Sequence, residues 1–554
     1  MDITLFPQLL AARLDANASA PHFAATTRAH GLYSTEQFVL RLSPEVFRKL
    51  SMLEAGIVDS SLKDFQGMQA MSTYLHETIH WWQHIGSTYG FIFSLNYPIQ
   101  AHCTHSDLNT IAADAGFKKS IFLQALELNK NRQSDAIKSA RTANTIINNH
   151  FDLRAFRELT FGPRSAANVA KHELFLGVGH AFKMTYSHTV AHLASTVDPS
   201  FQAIPHPKDW IDGFRELEKI KADGFHPNSP AKIPPIGSLD IFEGQARFCQ
   251  IQYLYYASGK RLSWQSFRDT GMLCGEYVRA FKLFLQLTES QWPTDVDDPL
   301  VGLFLLVCDL AINPGRGFPF SVAPNFEMFI NKVNPGYRFC VFSTLISIKF
   351  PSAKKAIRKH DREEYSEITT ALCIAAREFP ALQVAGKFAE WFAPNGQFKE
   401  LRIEYESYKF EPGNFVLRHL FAHFLAFQED KCRCPEFFCW PGAWLSGDNL
   451  SQRERLLFEK HGTLFIDKEN DNSVFARIQS QRDALVVQNT FEQFYHNVVT
   501  FGLINQWISQ PGPFRYDIGW LKESASSEEM EVYLRGQFRA TFGLDPTDVQ
   551  VLEH

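Results

Sequence analysis

Residues 61–86 end in YLHETIHWWQHIG, and within them Phe65, Met68, Leu75, Ile79 and Trp82 recur three or four apart. That period is helical. On such a helix His76 and His80 stand one turn apart on the same face, so both imidazoles can reach a single metal ion. The apolar stripe lies about 100° from the histidine face, and Gly86 suits a C-cap, so the helix is expected to be buried with its metal face turned to a cleft. Glu77 projects about 100° further round, where it cannot chelate with the two histidines but can take a proton from a water held by the metal. The competing reading is a pair of core histidines hydrogen-bonded to neighbours, with Glu77 in an ion pair.

Most other long segments repeat at the same period: 117–132, 166–195, 207–222, 238–257, 264–288, 414–429, 475–508 and 527–541. The chain is therefore expected to be mainly α with a small N-terminal β component. The strand candidate is GLYSTEQFVLRLS at 31–43, partly alternating and bounded by Gly31 and by Ser43-Pro44. Breaks rich in Pro and Gly fall at 226–238, 293–299, 313–324 and 510–514. The third is the largest change in local composition, which divides the chain into residues 1–290 and 325–554. No repeat of 20–50 residues and no low-complexity tract is visible.

Composition excludes several classes. The 554 residues are 45% hydrophobic and 21% charged, a globular balance. With 55 Lys+Arg against 60 Asp+Glu the net charge is −5, so nucleic acid is not an expected partner. Histidine, the residue most used for metal binding and proton transfer near neutral pH, occurs 20 times. Six of the nine cysteines (Cys103, Cys249, Cys274, Cys308, Cys340 and Cys373) are isolated in apolar or helical text, as expected of small core residues in a reducing cytoplasm. The N-terminal MDITLFPQLLAARLD lacks a signal-peptide pattern, and the longest apolar stretch, Val301 to Ile312, is too short to cross a bilayer, so no membrane association is expected. Serine-hydrolase elbows, phosphate-binding loops and dinucleotide fingerprints are absent from the sequence.

His76-Glu77-Thr78-Ile79-His80 resembles the HExxH motif of the zincin metallopeptidases, over this helix and one further segment. The resemblance implies Zn2+ as cofactor, His76 and His80 as ligands and Glu77 as general base. The metzincin branch has Gly where Gln83 stands and His where Gly86 stands, so it is excluded. His84 sits about 6 Å further along the helix axis than His80, too far for compact coordination, and is expected to be a supporting, substrate-contacting or core residue. The gluzincin branch takes its third ligand from a Glu on a later helix. Ser238-Leu-Asp-Ile-Phe-Glu243-Gly-Gln-Ala-Arg is similar to the Glu-Gly-x-Ala segments of that branch, with Ser238 as N-cap and Glu243 in the second turn. Gly244 costs a helix about 1 kcal/mol against Ala, which calls for a close approach at that point. An i,i+4 ion pair of Glu243 with Arg247 is the alternative. Glu243 lies 163 residues beyond His80, an unusually long gap, and Glu173 is the fallback ligand. A peptidase of this kind also needs a donor for the tetrahedral oxyanion, for which HAFKMTYSHTVAHL (180–193) offers Tyr186 or His188.

Cys432, Cys434 and Cys439 are bunched after His419 and His423, and with His423 they form a candidate second metal set of structural type. The competing reading is a Cys-, Phe- and Trp-rich loop packed on the C-terminal helices.

These features lead to the expectation of a zinc metallopeptidase of narrow specificity acting inside the cell on a protein or peptide substrate. The C-terminal half would select substrate or bind a regulatory protein partner. The alternatives are a helical scaffold with a structural metal, and a metal-dependent amidohydrolase acting on a non-peptide amide.

Overall fold

The computed structural model describes residues 4–10, 31–54, 64–130, 134–162, 166–175, 177–219, 233–322, 328–446 and 449–553. Residues 61–63, 131–132, 176 and 220–222 of the expected helices lie outside the described residues, as do 226–232 and 323–324 of two expected breaks and 1–3 and 11–15 of the N-terminal segment.

Strands β1 (Gly31–Ser34) and β2 (Val39–Leu42) precede helices α1 (Asp64–Trp81), α2 (Thr88–Ala115), α3 (Ser134–Phe161), α4 (Val178–Val197), α5 (Ser238–Ala257), α6 (Glu276–Leu287), α7 (Pro299–Ile312) and α8 (Phe415–Arg433). Strands β3 (Phe465–Lys468) and β4 (Asp471–Ala476) and helix α9 (Ala484–Ser509) follow, with further helices between and after these elements. The fold is mainly helical with a small sheet component. No helix among the described residues is long and apolar enough to cross a membrane.

The larger sheet, of four strands, runs in the order β1-β2-β3-β4, and a second, two-stranded sheet pairs Lys118–Lys119 with Gln550–Val551. β1 and β2 are antiparallel with Gly31 opposite Leu42, β2 and β3 are parallel with Val39 opposite Phe465, and β3 and β4 are antiparallel with Phe465 opposite Ala476. Half of the larger sheet therefore comes from the C-terminal part of the chain. The helix expected from 475 begins only at Ala484, because Asp483 caps it by accepting the Val486 N–H at 3.0 Å.

Buried apolar residues from both 1–290 and 325–554 belong to one cluster. It contains Leu75, Ile79 and Trp82 together with Phe304, Phe424 and Phe437. α5 lies at its centre, packed by α1, α6 and α7. Polar residues on the buried α1 find partners in the N-terminal segment 4–10. Gln69 accepts the Phe6 N–H at 2.7 Å and donates to Thr4 O at 3.1 Å, and Thr73 Oγ1 donates to Leu9 O at 2.6 Å.

Beyond α1 the helix widens into a π segment, Trp82–Gly86, and α8 packs directly on it. A Cβ on Gly86 would lie 2.6 Å from the Phe427 ring, so glycine is what lets the two elements approach. Gly86 is thus a packing residue within the widened turn. Ser87 then opens α2 by accepting the Gly90 N–H at 3.0 Å.

Candidate metal centre

α1 and α5 bring three donor atoms together. His76 Nε2 and His80 Nε2 are 3.2 Å apart, and Glu243 Oε2 lies 3.6 Å from the first and 3.5 Å from the second. A tetrahedral ion with ligand bonds of about 2.0–2.2 Å requires donor separations of about 3.3–3.6 Å. Among the described residues, this is the one group of three or more His, Cys, Asp or Glu whose ligand atoms all fall within 4.8 Å of one another.

The sequence reading of α5 holds at Glu243, which sits in the second turn. The cap is Gly237 in place of Ser238, with Asp240 Oδ2 accepting the Gly237 N–H at 3.2 Å, while Ser238 Oγ bonds the Tyr89 hydroxyl at 3.0 Å. Gly244 faces the close approach that its presence implied: a Cβ there would lie 3.3 Å from Phe304 Cζ and 3.4 Å from Ala280 Cβ of α6.

Electrostatics at the triad favour a cation. Burial pushes His76 down to about 3, against the pull of Glu243, so this imidazole is neutral. Burial also opposes charge on His80, but the carboxylates of Glu243 and Glu77 outweigh it and push His80 up to about 9. Burial of Glu243 is likewise outweighed by His80 and His76, which hold its carboxyl well below the usual range. One positive charge is thus stabilised at the point the three donors face. Two imidazole nitrogens and one carboxylate oxygen are a donor set that fits Zn2+ with a position left open. The side chains are 2% (His76), 10% (His80) and 14% (Glu243) accessible, so the approach to the site lies on the His80 and Glu243 side.

Glu77 is buried outside the triad, and burial pushes it up to about 7, although the Tyr33 backbone N–H of the edge strand β1 stabilises its charge. Burial thus places its titration in the range where a carboxyl exchanges protons at neutral pH.

The neighbours of the triad include residues that sequence reasoning missed. Tyr277 of α6 presents its ring edge-on to His76 at 6.1 Å, and the Arg247 guanidinium lies 3.9 Å above the Tyr277 ring. Arg247 Nη1 donates to Gln250, whose Nε2 in turn donates to Ser72 Oγ at 3.1 Å. Arg247 was visible in the sequence as a residue one turn beyond Glu243; Tyr277 follows a Gly-rich turn and carried no signal. Gln83 accepts from His80 Nδ1 at 2.8 Å.

Other expected site residues lie elsewhere. α4 packs on α2, α3 and α8, whereas the triad rests on α1, α5 and α6, so Tyr186 and His188 do not join it. The Tyr186 ring meets Phe329 at 5.3 Å and Phe156 at 6.1 Å, and His188 Nδ1 faces Cys103 Sγ at 3.3 Å. Glu173 is exposed and takes no part in the group. His84 is a core residue, buried among the rings of Phe242, Tyr33 and Phe93.

The cysteine set does not assemble either. His423 and Cys432 are nine residues apart on α8, which places them about 180° round and about 13 Å along the axis from each other. His423 stacks edge-on against Tyr405 and His419, Cys439 is buried at the end of the short helix Pro435–Cys439, and Cys432 and Cys434 flank the end of α8. Among the described residues the side chains of His423, Cys432, Cys434 and Cys439 form no group of converging donor atoms.

No family model, no curated protein and no solved structure matches this chain.

Proposed function

We propose that the chain is a zinc-dependent metallopeptidase in which His76, His80 and Glu243 hold Zn2+. The observation that carries this reading is the mutual 3.2–3.6 Å spacing of three donor atoms drawn from α1 and α5. When bound, zinc supplies a Lewis acid for the scissile carbonyl and lowers the pKa of water. Glu77 takes the proton of the attacking water and delivers it to the leaving amine, a task suited to a carboxyl pushed up to about 7 by burial. Tyr277 keeps its phenolic proton because burial raises its pKa, and it donates toward charge developing on the carbonyl oxygen. Arg247 holds the Tyr277 ring by stacking on it. All nine cysteines are free thiols, which supports a reducing, cytoplasmic compartment, and the substrate we assign is a protein or peptide. The C-terminal half braces the π segment through α8.

The test is hydrolysis of a peptide library by zinc-loaded protein, with Glu77→Gln beside it. The variant is expected to keep its zinc and to lose cleavage by about 10²–10⁴-fold. Undiminished cleavage by Glu77→Gln would overturn the assignment of the base. Zinc content indifferent to His76 and His80 would overturn the site itself.

A further inference from the structure

Gln83 ties the second histidine of the triad to the helix that carries Glu243. Its Oε1 lies 2.8 Å from His80 Nδ1, while its Nε2 lies 3.0 Å from Phe242 O and 2.9 Å from Gln245 Oε1. Phe242 immediately precedes Glu243, and Gln245 follows it by two residues.

The direction of every bond in this chain follows from one group. A backbone carbonyl can only accept, so the end of Gln83 facing Phe242 is its NH2, which has a second hydrogen for Gln245 Oε1. The oxygen of Gln83 is then the end that faces His80, and an amide oxygen only accepts. His80 Nδ1 must therefore carry a hydrogen, which leaves the lone pair for a metal on Nε2, the atom that faces His76 and Glu243. Burial strengthens the constraint, since His80, Gln83 and Gln245 are all buried and an amide turned the wrong way would set oxygen against the Phe242 oxygen with no water to relieve it.

Gln83 stands three residues beyond His80, the spacing at which helix side chains are neighbours, and lies within the π segment. The same side chain thus fixes the tautomer of one ligand and the position of the helix bearing another.

We propose that Gln83 is a positioning residue for metal binding: it holds His80 in its Nε2-coordinating form and locks α5 so that Glu243 meets it. This rests on the reading of the triad as a zinc site. The pattern differs from a plain structural hydrogen bond because both ligands depend on it.

The test is the zinc dissociation constant of the full-length protein, measured by competition with a chelator, for wild type, Gln83→Met and Gln245→Met. Met matches the length of Gln without its donors and acceptor. Gln83→Met is expected to weaken zinc binding by about 10–100-fold, the usual cost of losing such a partner. Gln245→Met, which leaves the Phe242 carbonyl to orient Gln83, is expected to lose less than Gln83→Met. Wild-type affinity in Gln83→Met would overturn the proposal while leaving the zinc site intact; absence of zinc binding by wild type would overturn both. A crystal structure of the zinc-loaded wild type is a check that needs no variant. Coordination through His80 Nε2 with Gln83 bridging to Phe242 O is expected, and coordination through Nδ1 would overturn the proposal.

Discussion

Glu243 Oε2 stands 3.5 Å from His80 Nε2 although 163 residues separate the two in the chain. The contact exists because α5 crosses the core against α1, and Gly244 lets α6 press close behind it. A carboxylate buried so near two imidazoles is favourable only when a positive charge accompanies it, whether a proton or a metal ion.

Replacing Glu243 tests that dependence. Glu243→Gln keeps the shape and removes the charge, and it is expected to weaken zinc binding by more than about 100-fold, beyond the loss typical of a supporting residue. Chelator competition measures it. Retention of wild-type affinity would assign the ion to another set of donors.

The close approach at Gly86 predicts a stability effect remote from the ligands. Gly86→Ala places a methyl group 2.6 Å from the Phe427 ring and is expected to destabilise the protein by about 1–3 kcal/mol in denaturant titrations. Because the ring is held by α8, zinc affinity should fall with it. A neutral effect on stability would mean that α8 does not press on the π segment.

Acid sensitivity follows from histidines buried without charge. Burial pushes His419 down to about 3 from an ordinary 6.5, so the unfolded chain binds a proton that the folded chain does not. The stability it permits is complete above about 6.5 and is lost as pH falls toward about 3, by up to about 1.4 kcal/mol per pH unit. His419→Gln is expected to flatten the dependence of unfolding free energy on pH between those values by close to one proton. An unchanged slope would mean that His419 is protonated in the folded protein.

The dispersed cysteines predict a metal stoichiometry. Purified protein should bind one tight equivalent of zinc, and Cys434→Ser should leave that number unchanged. A second equivalent lost in Cys434→Ser would require the Cys432, Cys434, Cys439 and His423 set to close around an ion.

The histidine pair of the candidate site was legible in the sequence because its geometry is local. The i,i+4 spacing of His76 and His80 needs only a helix, and Glu243 was reached through its likeness to the Glu-Gly-x-Ala segments of gluzincins, a second-turn position and an unexplained Gly244, although the cap expected at Ser238 falls at Gly237. The fold class was legible through helical periodicity, yet α2 escaped it: its first half, from Thr88 to Ala101, is almost wholly buried, so no alternation marks a face. α3 escaped for the opposite reason, its text being polar, with NNH at 148–150 inside it. Tertiary pairing left no local trace. Strands β3 and β4 complete a sheet begun more than 400 residues earlier, and Tyr277 reaches His76 only through the packing of α6 on α5. The same blindness misplaced Tyr186 and His188, whose helical spacing was correct but whose helix faces another layer.

Diffraction from zinc-loaded crystals on either side of the zinc absorption edge tests the central claim most directly. The account predicts a single strong anomalous peak about 2.0–2.2 Å from His76 Nε2, His80 Nε2 and Glu243 Oε2. A map without density at that point, or with its peak at the cysteines, would contradict it.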